Sequence, residues 1–64
     1  MPVPHRERQA LERERGELPR QVAAYQAELE VTPPEHQTRR EMLTWQIRRV
    51  QKRTAEIEAR LTGG

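Results

Sequence analysis

His5 and His36 are the only imidazoles in the chain, and its ten acids are all glutamate. Acid–base or metal chemistry would have to be assembled from these groups. Neither histidine stands in a spacing such as His-Glu-x-x-His, which sets two ligands one helical turn apart. Nucleophilic catalysis lacks a Ser or Cys, and no Asp is available to orient a base. The glycines, Gly16, Gly63 and Gly64, build no phosphate-cradling loop. The neighbours Glu35 and His36 read as first-turn charge and cap region of a helix rather than as a catalytic pair. The sequence therefore predicts a non-enzymatic protein with no catalytic, cofactor-binding or metal-ligating residue.

Recognition chemistry is better represented. Trp45 is the only tryptophan, and it stands among Arg39, Arg40, Arg48, Arg49, Lys52 and Arg53, with Glu41 as the only acid between His36 and Arg53. At about 100° per residue, Trp45 falls nearly opposite the stripe formed by Leu43, Ile47 and Val50. Met42 flanks it. Trp and Arg are the residue types most enriched at binding hot spots, which makes Met42, Trp45, Arg48, Arg49 and Lys52 a candidate surface for a partner protein. The same group could act as a stacking platform in a basic patch for nucleic acid, without sequence preference. It could also be a packing face within an oligomer. No helix-turn-helix, zinc finger or other named reader accompanies it.

Charge is uneven along the chain. Residues 1–31 hold five Arg against six Glu, whereas residues 32–64 hold six Arg and one Lys against four Glu. An anionic partner would be met in the second half. Without cysteine there is no disulfide or thiolate framework. The start "MPVPHRER" has no apolar run, and no stretch approaches the roughly 18 apolar residues of a membrane span. A cytoplasmic protein without membrane contact is the expectation.

The elements that must position these residues are helical. Ser, Asp and Asn are absent, while Arg, Glu, Gln, Ala and Leu dominate. Apolar residues recur in helical steps at Leu43, Ile47, Val50, Ile57 and Leu61, interrupted by Thr54, and at Leu11, Leu18, Val22, Tyr25 and Leu29, interrupted by Arg15. Between the two stripes lies "EVTPPEH". Thr32 with Glu35 has the capping-box form, and proline suits a helix's first turn, so a second helix is expected from about residue 34 to 61. The first is expected over about 5–30, after an arm at 1–4, with a turn at 31–34 and a tail at 62–64. Gly16 and Pro19 predict a break near residues 16–19. The terminal "RLTGG" shares only its glycines with the diglycine tails of ubiquitin-like modifiers, and Gly63 reads as a helix terminator with Gly64 a frayed end.

Folding back at this turn pairs positions whose numbers total 65: Val22 with Leu43, Leu18 with Ile47, Tyr25 with Arg40. That predicts one all-α domain over residues 1–64, an antiparallel helical hairpin. At the open end the pairing fails, with Ile57 meeting Arg8 and Leu61 meeting Pro4. A chain this short rarely builds a core that outweighs its chain entropy. Self-association through Leu18, Val22, Tyr25, Leu29, Leu43, Ile47, Val50, Ile57 and Leu61, as a dimeric four-helix bundle, is the expected remedy. In length and layout this resembles the plasmid copy-number regulators of the Rop type. The resemblance is architectural only, and no residue motif carries that family's RNA binding across. The function expected is a small self-associating adaptor or regulator for a partner protein. The alternatives are a basic nucleic-acid-binding regulator and a structural subunit whose only partner is itself.

Overall fold

The computed structural model describes residues 3–63, which form two helices, α1 (His5–Val31) and α2 (Gln37–Gly63), packed against each other as a hairpin. The expectations for Met1, Pro2 and Gly64 lie outside the described residues. The hairpin is an elongated body of 49 × 15 × 12 Å, its length set by two helices of 27 residues each. No helix among the described residues is long and apolar enough to cross a membrane.

The first helix runs through Gly16 and Pro19 without the expected break. Pro19 removes one backbone donor, which leaves the Arg15 carbonyl without its helical partner. Pro19 is exposed, so that carbonyl can be hydrated, and Leu11 and Leu18, both buried against α2, clamp the helix upstream of the proline. Gly16 is a separate weakness. A Cβ built there meets nothing within 4 Å. Because glycine costs a helix interior about 1 kcal/mol relative to alanine, Gly16→Ala is expected to stabilise the hairpin by about 0.5–1 kcal/mol, read as a higher urea midpoint.

The turn lies later than the prolines suggest. Thr32 does not cap α2. It ends α1, donating its hydroxyl to the Glu28 carbonyl at 2.6 Å and its N–H to the Leu29 carbonyl at 3.3 Å. Its backbone is extended (φ −84°, ψ 123°), as expected for a residue that precedes a proline. The His36 N–H then donates to the Pro33 carbonyl, and the His36 carbonyl accepts from the Arg40 N–H, both at 3.0 Å, which starts α2 three residues beyond Pro34. The connection is thus Thr32 to His36.

That displacement changes the register. Glu7 pairs with Arg60, Glu14 with Arg53 and Glu28 with Arg39, and in each pair the residue numbers total 67 rather than 65. The partners recur at multiples of seven on both helices, the repeat of an antiparallel coiled coil. Gln21 and Gln46 occupy the remaining rung and line the same groove between the helices. In this register Ile57 is not left facing Arg8. Ile57 and Leu61 join Leu11 and Leu18 in the core at the open end, with Val3 and Val50 packed against it. Ile57 is completely buried, so the unpartnered open end of the sequence reading is replaced by the best-packed part of the molecule. Thr54 is tolerated beside this core because its hydroxyl donates to the Val50 carbonyl at 3.0 Å.

Candidate functional site

The expected self-association residues divide in two. Leu18, Leu43, Ile57 and Leu61 are buried within the hairpin itself, whereas Val22, Tyr25, Leu29, Ile47 and Val50 remain half-buried. The three interhelical ion pairs lie on one flank of the helix–helix seam. By helical geometry Val22 and Ile47 lean toward the other flank, where the described residues form no interhelical ion pair.

The outer face of α2 carries the residues expected to meet a partner. Trp45 is 60% exposed and Met42 54%, which is high for side chains of this size in so small a molecule. The Arg49 guanidinium carbon lies over the indole at 5.5 Å from the ring centroid, a cation–π arrangement that holds one cation at the ring. Trp45, Arg48, Arg49 and Lys52 line an open groove of about 370 Å³. A larger depression of about 630 Å³ lies at the turn, between Val31, Pro33, His36, Arg39 and Met42. Its one cation is already held by Glu28.

The structure sorts the basic residues of α2 in a way the sequence does not reveal. Arg39, Arg53 and Arg60 are bound to glutamates of α1. Arg40 turns inward and donates to the backbone carbonyls of Leu29 and Thr32. Among the described residues Arg48, Arg49 and Lys52 have no carboxylate within ion-pair distance, and all three surround Trp45. The six-residue basic stretch read from the sequence is therefore a patch of three. The signal that separates them is the heptad spacing of Glu7, Glu14 and Glu28, which assigns Arg39, Arg53 and Arg60 to the fold.

Of the bound pairs, Glu14 and Arg53 have the firmest geometry: Arg53 donates through Nε at 2.7 Å and through Nη2 at 3.0 Å, one bond to each carboxylate oxygen. Such forked pairing is the strong form of the interaction. The hydrogen bonds from Arg53 hold the Glu14 carboxyl below its ordinary value, against the opposing effect of desolvation. The same bonds raise Arg53. A carboxyl whose folded value lies below its unfolded one stabilises the fold above the ordinary carboxylate range, and that stabilisation is lost as pH falls through the lowered value. The thermal midpoint is therefore expected to drop on acidification from about pH 5 to about pH 2, and Arg53→Gln should flatten that dependence. Circular dichroism melts across this range, on both proteins, check it.

Nothing in this arrangement brings an acid, a base and a nucleophile together. His5 and His36 lie at opposite ends of the hairpin, and no cluster of three or more potential metal-ligating side chains exists among the described residues. What the geometry offers is an exposed indole framed by three cations that no carboxylate of the described residues pairs, a surface suited to docking. No protein-family model, curated protein or solved structure matches the chain.

Proposed function

We propose that the protein is a small, non-enzymatic, self-associating helical adaptor that binds a partner protein through the outer face of α2. Trp45 is the anchor, Arg48, Arg49 and Lys52 supply charge around it, and Met42 extends the apolar contact. The observation that carries this reading is the sorting of the cations of α2: Arg39, Arg53 and Arg60 are engaged by glutamates of α1 and Arg40 by its carbonyls, and the three that remain on this helix, Arg48, Arg49 and Lys52, all border the one exposed indole. An exposed Trp next to Arg is the composition of a binding hot spot. Self-association is assigned to the flank without ion pairs, around Val22, Ile47 and Leu29, where half-buried apolar surface would be covered by a second hairpin to give a four-helix bundle. The setting assigned with this function is the cytoplasm.

Trp45→Ala tests the anchor. With most of the indole already in solvent, the variant is expected to keep its helical circular dichroism, while capture of the native-host partner falls by about tenfold or more. Unchanged capture would remove the anchor role. The second reading, a nucleic-acid regulator, is favoured by the same three cations around a stacking ring. It requires binding that weakens steeply with salt, by about three counterions' worth per chain.

A further inference from the structure

We infer that the Trp45 groove takes a short acidic segment of a partner protein, about two helical turns long, and that Glu41 and Glu56 close its ends against longer polyanions. This rests on the adaptor reading and adds the chemistry of the partner. Trp45, Arg48, Arg49 and Lys52 stand at helical steps of three and four, so they share one face and cover only about 10 Å along the axis. One turn before Trp45, on the same face, stands Glu41. One turn beyond Lys52 stands Glu56, which lies 3.7 Å from Arg53 and lines, with Arg49, Lys52 and Arg53, the depression that adjoins this end of the groove. The positive surface is therefore bounded at both ends.

A ligand that fits must carry a few negative charges within that length and nothing anionic beyond it. A nucleic-acid duplex carries a charge about every 1.7 Å of its axis and would run its phosphates onto Glu41 and Glu56. An acidic peptide can place carboxylates beside Arg48, Arg49 and Lys52 and end, or turn neutral, before the boundary. It can also set one apolar side chain on the exposed indole and Met42, whereas the bases of a duplex are stacked inside it and do not reach the ring. Charge complementarity and the apolar anchor thus agree on a protein segment.

Because Trp45 is the only tryptophan, its emission reports directly on the groove. The probes are an equimolar pool of peptides of about 12 residues, rich in Glu and Asp around one central Leu, Phe or Met, the same pool with Gln and Asn in place of the acids, and a single-stranded DNA of about 20 nucleotides. The acidic pool is expected to give a saturable change in emission and the neutral pool none. The double variant Arg48→Glu, Lys52→Glu should bind the acidic pool about tenfold more weakly or worse, and should recover binding to a pool in which Lys replaces the acids. DNA should bind the native protein more weakly than the acidic pool does, and should gain on Glu41→Gln with Glu56→Gln.

Tighter binding of DNA than of the acidic pool overturns the proposal in favour of a nucleic-acid regulator. An equal response to the acidic and neutral pools overturns the charge requirement. Should the acidic pool produce no change while Trp45-dependent partner capture holds, the acidic chemistry is overturned and the adaptor survives; if capture fails as well, both go.

Discussion

Ile57→Ala is expected to leave most of the protein unfolded at 25 °C. Ile57 is completely buried, and it joins Leu11, Leu18 and Leu61 in the core that closes the open end of the hairpin. Truncating a buried Ile or Leu to Ala costs about 2–5 kcal/mol, the upper part of that range applying where neighbours cannot collapse into the void. Long helices flanking the site resist such collapse. A domain below about 70–80 residues rarely holds more than about 3–5 kcal/mol of net stability, so the loss is comparable to the whole. The far-ultraviolet circular dichroism signal should fall to that of a largely disordered chain at low micromolar concentration. Ile57→Val, which costs about 0.5–1.5 kcal/mol, should remain folded with a lower urea midpoint. The same experiment reports on assembly. If a second hairpin covers the Val22 and Ile47 flank, raising the protein concentration should restore helix in Ile57→Ala by mass action, whereas a monomer's melt is independent of concentration. A variant that folds as well as the parent at low concentration would show that the open-end core is not what holds the two helices together.

The hairpin itself was legible in the sequence, because the heptad recurrences of Leu11, Leu18 and Tyr25 and of Leu43, Val50 and Ile57 survive any uncertainty at the turn. Register was not, and Thr32 is the reason. Its spacing to Glu35 has the form of an N-cap, yet its hydroxyl bonds backward to Glu28, because a residue held extended before Pro33 is equally well placed to end one helix as to begin the next. Moving the turn by this amount carries Ile57 from Arg8 into the core. The ion-pair ladder held the information needed to choose. In the register totalling 65, Glu7, Glu14 and Glu28 would face Glu58, Gln51 and Gln37, with no cation opposite any of them; in the observed one each meets an arginine. Exposed pairs of this kind contribute little individually, so they select among registers whose apolar burial is similar rather than supply the bulk of stability. The outward position of Trp45 followed from helical geometry alone. Which cations surround it freely did not, since that depends on glutamates far away in sequence.

Arg40 is expected to be the most consequential charged residue in the molecule, for the fold and not for binding. The end of α1 lacks a basic side chain in its last turn, although the final carbonyls of a helix are unpaired and form the negative end of its dipole. Arg40 supplies from α2 what α1 lacks: its Nη1 donates to the Leu29 carbonyl at 3.0 Å and to the Thr32 carbonyl at 2.8 Å, tying the end of the first helix and the start of the turn to the first turns of the second. The residue is half-buried, so these bonds are partly sheltered from water. Charged hydrogen bonds contribute about 1.5–3 kcal/mol, and partial exposure places Arg40→Met toward the lower end of that range. The methionine keeps the apolar stem, so the loss isolates the guanidinium. Arg40→Lys, which keeps the charge near the helix end but shortens the reach, should fall between the two. Urea midpoints give the size of the effect, and amide exchange gives its place: protection should drop first for the last turn of α1 and for the His36 and Arg40 N–H groups that shape the turn. A loss below about 0.5 kcal/mol, the level of an ordinary surface substitution, would assign the corner to Pro33 and Pro34 instead. Wherever Arg40→Met remains folded, the response of Trp45 to acidic peptides should be unchanged, because Arg40 is turned toward carbonyls of its own chain and lends no charge to the outer face.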